Sequence, residues 1–123
     1  MTSPAPHLLV KLTCGEEALE RANQALTVAA TAVASGAEVS LWLTGEASWL
    51  AVPGRAEALT LPHAANPAEL LEAVLAAGQV TVCSQCAARR DLTAEALRPG
   101  VAIRGAAAFV EEALTEGTQA LVY

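Results

Sequence analysis

Short apolar runs alternate with helix-like segments along the whole chain of 123 residues, and no hairpin signal joins one run to the next. The runs predict five strands, at His7–Thr13, Glu38–Leu43, Val80–Val82, Val101–Ile103 and Gln119–Tyr123. Parallel strands require helical crossovers between them, and this alternation supplies one after each strand. The sequence therefore predicts a single α/β domain over residues 1–123, a flavodoxin-like three-layer sandwich with a five-stranded parallel sheet in the order 2-1-3-4-5.

The helix limits are predicted from local signals. Thr13-Cys14-Gly15-Glu16 fits a capping box at the start of the first helix, and Asn66-Pro67 is a strong start for the second. Between them, the stretch from Glu46 to Asn66 is rich in turn residues and predicts an irregular loop.

Charge and composition exclude several kinds of partner. The net charge is −6, which disfavours binding to nucleic acids and to anionic membrane surfaces. Residues Met1 to Pro6 lack a basic segment followed by an apolar one, and charge or glycine interrupts every long apolar stretch. We therefore expect a cytoplasmic protein without a membrane or nucleic-acid partner.

Cys83-Ser84-Gln85-Cys86 is the motif with the most chemical content, because it follows the third predicted strand and opens a helix. Reactive groups of open parallel sheets collect beyond the carboxyl ends of the strands. A thiol near a helix amino terminus is favoured as the thiolate. Cys83 and Cys86 are therefore the predicted catalytic pair.

Cys14 follows the first predicted strand. In the order 2-1-3-4-5 the first and third strands are neighbours, so Cys14 is expected near the same crevice as Cys83. A small buried residue without chemistry is an equally good interpretation of Cys14, since free cysteines are among the most buried residues.

Other sites on this architecture fit less well. Cys14, Cys83, Cys86 and His63 together would make a Cys₃His zinc site, but their spacing lacks the paired knuckles of structural zinc sites. A flavin phosphate would meet Glu16 and Glu17 after the first strand, where a hydroxyl-rich loop is needed. We therefore expect no metal and no other cofactor.

Three segments together resemble one known family: Thr13-Cys14-Gly15, Leu41-Trp42-Leu43-Thr44-Gly45 and, above all, Val82-Cys83-Ser84-Gln85-Cys86-Ala87-Ala88-Arg89-Arg90. The chain resembles the DsrE/DsrF-like family, which includes TusD-type sulfur-relay proteins. The resemblance implies that Cys83 is the sulfur-accepting cysteine and that the protein is a homo-oligomer, a trimer or a hexamer. Arg90-Asp91 stands where the family commonly has Arg-Gly.

The expected function is that of a sulfur carrier or sulfurtransferase in which the Cys83 thiolate takes a sulfane sulfur from a persulfide and Cys86 resolves the adduct. Cys14, Arg89 and Arg90 are the predicted substrate-binding residues, and the two arginines are expected to lower the pKa of the thiol. Two alternatives stay open: a Cys-x-x-Cys thiol–disulfide oxidoreductase and a non-catalytic scaffold protein. The sulfur donor, the acceptor and enzymatic turnover are left undetermined.

Overall fold

A parallel five-stranded sheet lies at the centre of the protein, as described for residues 5–123 by a computed structural model. The strands are β1 His7–Leu12, β2 Glu38–Leu43, β3 Gln79–Cys83, β4 Ala102–Arg104 and β5 Thr118–Val122. The α-helices are α1 Leu19–Ala34, α2 Pro67–Ala77, α3 Ser84–Arg89 and α4 Ala106–Ala113. Short 3-10 helices span Glu16–Ala18, Gly45–Ala51 and Ala94–Ala96. The predicted fold class, an α/β fold with a parallel sheet covered by helices on both sides, is confirmed.

The predicted strand order is wrong. The sheet runs β4-β3-β2-β1-β5, so β2 separates β1 from β3 and β5 pairs with β1 instead. The reason lies in the direction of the crossovers. A right-handed crossover places its helix on one face of the sheet when the next strand is added in one direction across the sheet. It places the helix on the opposite face when the next strand is added in the other direction. Here α1 and α2 pack against each other on one face, which shows that the chain advances from β1 through β2 to β3 without reversing.

The main core lies between the sheet and the helices α1 and α2. Every second residue of the strands faces this core, and small residues of α1 supply much of the other side. The buried residues include Val10, Leu12, Leu41, Leu43, Val80, Val82, Ala22, Ala25 and Ala29. Alanines on the inner side of α1 let the helix approach the sheet closely, which explains how a chain with 3% aromatic residues fills its interior.

The opposite face of the sheet is covered by α4. The Phe109 ring meets the buried Trp42 ring edge to face, with centroids 5.3 Å apart and an interplanar angle of 84°. Lys11, Thr81 and Cys83 alternate with the core residues of their strands, so they lie on this second face. The catalytic candidate Cys83 is therefore on the face that α4 covers.

Of the two helix starts predicted from capping residues, one is correct and the other is wrong. Asn66 caps α2, since its side-chain oxygen accepts a hydrogen bond of 2.8 Å from the backbone N–H of Ala68. The capping box at Thr13 is not formed, because the Thr13 hydroxyl donates instead to the carbonyl oxygen of Tyr123, 2.7 Å away. A 3-10 turn follows, and α1 begins only at Leu19.

The stretch predicted as an irregular loop starts with the 3-10 helix Gly45–Ala51 and continues as turns up to α2. The buried guanidinium of Arg98 anchors it, since it bonds Glu57 in the loop and Glu72 on α2. Within residues 5–123, no helix is both long enough and apolar enough to cross a membrane.

Candidate functional site

Cys83 is the last residue of β3 and the residue immediately before α3. Its neighbours Val80 and Val82 point into the core, so the alternation of the strand turns the Cys83 side chain to the face of α4. The side chain is half-buried. The strand end therefore presents a thiol that is held by regular structure and still reached by solvent.

Cys86 lies one turn further on, inside α3, and is buried. Its Sγ accepts a hydrogen bond of 3.2 Å from the backbone N–H of Gly45, which follows β2. Gly45 has a φ of +55°, and a Cβ there would lie 2.9 Å from the carbonyl oxygen of Thr13. Only glycine fits this turn. The turn fixes the position of the Gly45 N–H, which in this way holds the Cys86 sulfur.

The surroundings of Cys83 favour its thiolate. Burial raises the pKa of this thiol, but opposing effects outweigh burial, and the net pKa is lowered. The opposing effects are hydrogen bonding from the backbone N–H and thiol of Cys86, hydrogen bonding from the backbone N–H of Gln85, and the positive charge of Lys11. The Cys86 thiol is thus placed to stabilise the negative charge on Cys83.

Lys11 is the residue that the sequence analysis missed as a contributor to the site. It lies on β1, and its Nζ stands 5.1 Å from the centroid of the Phe109 ring. The available signal was a single charged residue within an otherwise apolar strand. This charged residue could be assigned to the Cys83 site only from the register of β1 with β2 and of β2 with β3, because that register places Lys11 on the same face as Cys83.

The two predicted arginines lie in different surroundings. Arg89 is exposed. The Nε of Arg90 pairs with Glu46 at 3.2 Å, and its guanidinium donates to the carbonyl oxygen of Cys86, also at 3.2 Å. Arg90 thus links α3 to the loop after β2. The positive charge that acts on the Cys83 thiol comes from Lys11. Substrate binding by Arg89 and Arg90 stays a prediction.

Cys14 belongs to another part of the molecule. It is buried in the core on the α1 side, and its thiol approaches the carbonyl oxygen of Ala18 at 3.7 Å. Burial raises the pKa of Cys14, the charge of Glu17 raises it further, and Arg21 lowers it by less. Because β2 separates β1 from β3, the expected crevice shared by Cys14 and Cys83 is absent. The role of Cys14 in substrate binding stays a prediction without this geometric support.

Arg104 lies beside Cys83 in the sheet, since the two residues pair in the register of β3 with β4. Its guanidinium stacks over Trp42 at 5.1 Å, donates to the Thr81 hydroxyl at 2.8 Å and pairs with Glu112 of α4 at 3.4 Å. Glu112 also accepts a hydrogen bond of 2.8 Å from the Trp42 indole. This network fixes α4 against the sheet next to the thiol.

The histidine of the zinc alternative is exposed on the loop before α2, where it adopts a φ of 59°. Within the described part of the chain, no three His, Cys, Asp or Glu side chains are grouped so that they could hold a metal ion. Cys14, Cys83, Cys86 and His63 are therefore not gathered into a Cys₃His set.

Among residues 5–123, no cysteine lines either of two surface clefts. One, of about 330 Å³, lies between Glu16, Glu46 and Trp49 at the carboxyl edge of the sheet. The other, of about 620 Å³, lies along the amino-terminal part of the sheet near Ser40 and Gln79. The accessible part of Cys83 therefore lies outside both clefts.

Solved structures with the same fold include two that match nearly the whole chain. The YchN protein of E. coli superimposes with a TM-score of 0.70 at 19% identity and covers 98% of this chain and 100% of its own. MTH1491 of Methanobacterium thermoautotrophicum, a protein of unknown function, superimposes with a TM-score of 0.69 at 9% identity and covers 96% of this chain and 99% of its own. At these identities the likeness concerns the fold. None of the curated proteins shows significant sequence similarity to the chain.

Membership of a family rests on the sequence match over most of the chain. The model of the DsrE/DsrF-like family matches residues 9–122, which include every strand but the first two residues of β1. The resemblance noted from the cysteine motif is thereby confirmed. The chain belongs to the DsrE/DsrF-like family.

Proposed function

We propose that this protein carries sulfane sulfur as a persulfide on Cys83, with Cys86 as the resolving thiol. One observation carries the proposal: Cys83 has a lowered pKa at an accessible strand end, with the Cys86 thiol beside it. Thiolates are the nucleophiles of sulfur exchange. Membership of the DsrE/DsrF-like family, which suggests a sulfur-relay role, supports the same conclusion.

The loading step is a displacement at sulfur. The Cys83 thiolate attacks the outer sulfur of a donor persulfide R–S–SH and forms a new S–S bond. The old S–S bond of the donor breaks, its electron pair leaves with R–S⁻, and the proton stays on the transferred sulfur. Cys83–S–SH results, and an acceptor thiolate removes the outer sulfur by the same chemistry.

Cys86 offers a second fate for the adduct. Its thiolate attacks the inner sulfur of Cys83–S–SH, so that a Cys83–Cys86 disulfide forms and HS⁻ leaves. The disulfide then needs a reducing thiol to restore the pair. The closeness of the two thiols supports this step, since the Cys86 thiol already interacts with Cys83.

The test is intact-mass measurement after exposure to a persulfide donor. Cys86→Ser should retain one additional sulfur atom, because the internal thiolate that displaces it is gone, and Cys83→Ser should retain none. Cys14→Ser is the matched control and should behave as the unmodified protein. Sulfur that persists on Cys83→Ser, or never appears on Cys86→Ser, would refute the proposal.

A thiol–disulfide oxidoreductase is the second candidate, favoured by the same contact between the two thiols. It requires both cysteines equally and a measurable two-electron potential of the pair, and it predicts no stable sulfur adduct on Cys86→Ser. If Cys83→Ser changes neither sulfur uptake nor disulfide exchange, the remaining alternative is a scaffold protein without thiol chemistry.

A further inference from the structure

Lys11 is the only lysine of the chain, and it interrupts a strand whose neighbouring side chains are buried. It is half-buried itself. A partly buried charge on an interior strand of a sheet is disfavoured unless something compensates it. Among residues 5–123, the ion pairs involve other side chains, and Lys11 meets the face of Phe109 and no carboxylate.

The register of the sheet relates Lys11 to Cys83. Lys11 pairs with Trp42, Trp42 pairs with Thr81, and Cys83 follows two residues later on the same face. Strand spacing and rise put the two backbone positions about 10 Å apart across the sheet and about 7 Å apart along it. The ammonium acts on the thiol through its charge and not through a hydrogen bond.

The other charged groups near Cys83 already have partners. Arg104, next to Cys83 on β4, pairs with Glu112 of α4, and Glu112 is also held by the Trp42 indole. On α3, Arg90 is directed to Glu46 and to the backbone of Cys86. Lys11 is thus the cation beside Cys83 whose charge no carboxylate balances.

We propose that Lys11 is the specificity-determining residue of the Cys83 site and attracts the negative charge of a small anionic sulfur donor that approaches Cys83. The inference rests on the proposed sulfur-carrier function, which it extends by naming the class of donor. The class consists of small compounds that carry negative charge next to the sulfane sulfur, and thiosulfate is its simplest member.

The corresponding step is balanced in atoms and charge. The Cys83 thiolate attacks the outer sulfur of thiosulfate, the bond between the two thiosulfate sulfur atoms breaks, and its electron pair leaves with sulfite. Cys83–S–S⁻ and SO₃²⁻ result. The ammonium of Lys11 offsets the repulsion between the thiolate and the doubly charged donor. The amides at the start of α3 stay available to the thiolate itself.

The experiment compares two alkylating agents of similar size, the anion iodoacetate and the neutral iodoacetamide, and follows Cys83 by peptide mass spectrometry. Both react with the same thiolate, so the ratio of their rates is independent of the Cys83 pKa and reports anion binding alone. Lys11→Met keeps an unbranched apolar stem and should lower the ratio about three- to tenfold, the effect of one charge at a partly exposed site. Lys11→Arg should restore most of it, and the control Arg55→Ala, which removes an exposed cation beside Trp49, should leave it unchanged.

The unmodified protein provides a second measurement that does not depend on the folding of a variant. Raising the ionic strength from about 0.01 M to about 1 M shortens the screening length from about 30 to 3 Å and should lower the same ratio. A ratio that changes neither with salt nor in Lys11→Met overturns the inference and assigns Lys11 a packing role against Phe109. The alkylation test needs no sulfur transfer. Failure of Cys86→Ser to retain sulfur from any donor, with a normal ratio, would therefore count against the proposed function alone.

Discussion

Cys83 and Cys14 are the same side chain in opposite surroundings. Cys83 meets hydrogen-bond donors and a cation, and its pKa is lowered. Cys14 is buried beside the carboxylate of Glu17, and its pKa is raised. Since the thiolate is the reactive form, the two residues should differ strongly in nucleophilicity at neutral pH.

Alkylation of single-cysteine variants measures this difference. Cys83 should react with iodoacetamide at least about tenfold faster than Cys14 at pH 7, because one pKa unit changes the thiolate fraction by about tenfold. The rate at Cys83 should reach half its maximum at a lower pH than the rate of a free thiol does, whereas the rate at Cys14 should reach it at a higher pH. Faster reaction at Cys14 would show that the assignment of the nucleophile is wrong.

The nucleophile could be assigned from the sequence because strand end, helix start and Cys-x-x-Cys spacing are all local features. The cation that acts on it could not. Arg89 and Arg90 are close to Cys83 in sequence, but a short helix directs Arg90 toward Glu46. Lys11 is 72 positions away along the chain and reaches the site only through the pairing of three strands.

At the level of elements, the strands and their direction could be predicted from the sequence, and the order of the strands could not. Five strands, their parallel direction and the start of α2 at Asn66 follow from apolar runs and capping residues. The order of the strands depends on which face of the sheet each helix packs against. The apolar pattern of a helix does not show which face of the sheet that is. The failed capping box at Thr13 has the same origin, because its competitor, the Tyr123 carbonyl, comes from the other end of the sequence.

Arg98 is the main link between the turn-rich segment and α2. Its buried guanidinium bonds Glu57 and Glu72, so Arg98→Met should lower the free energy of unfolding by about 1.5–3 kcal/mol, the usual range for hydrogen bonds to charged groups. Both carboxylates are largely exposed and become hydrated when the arginine is lost, which favours the lower half of that range. Urea denaturation measures the effect. An unchanged midpoint would show that the segment is held by its packing alone.

The ion pair also gives stability a pH dependence. The backbone N–H of Glu57 and the Arg98 guanidinium lower the pKa of the Glu57 carboxyl in the folded protein. A lowered pKa contributes stability that is fully present above the unfolded value and is lost as the pH falls through the folded value. The unmodified protein should therefore lose more stability between about pH 5 and pH 3 than Glu57→Gln does.

For the molecule as a whole, apolar surface on one side indicates self-association. Val110 of α4, Leu114 directly after α4, and Leu121 and Val122 of β5 are exposed, and β5 is an edge strand. Edge strands with apolar side chains are ordinarily covered. A second copy of the chain is the proposed cover, as expected from the trimers or hexamers implied by the family.

Light scattering coupled to size exclusion should find a homo-oligomer at micromolar concentration. Leu114→Lys, at a position that is 79% exposed, should shift it toward monomer without lowering the stability of the fold, since the side chain contributes little to the core. Glu116→Lys serves as the control, because Glu116 is exposed on the same side. Leu75→Lys would not serve as a control, because Leu75 packs on the core. A monodisperse monomer for the unmodified protein contradicts the proposal.

The position of β1 between β2 and β5 has a consequence for how the protein is made. Its second neighbour arrives from more than one hundred residues later in the sequence, as in the hydrogen bond between the Tyr123 N–H and the Lys11 carbonyl. Contacts so distant in sequence form slowly. Until β5 emerges from the ribosome, the strand that carries Lys11 presents one side of its backbone unpaired, and such a nascent chain is a natural substrate for a holding chaperone.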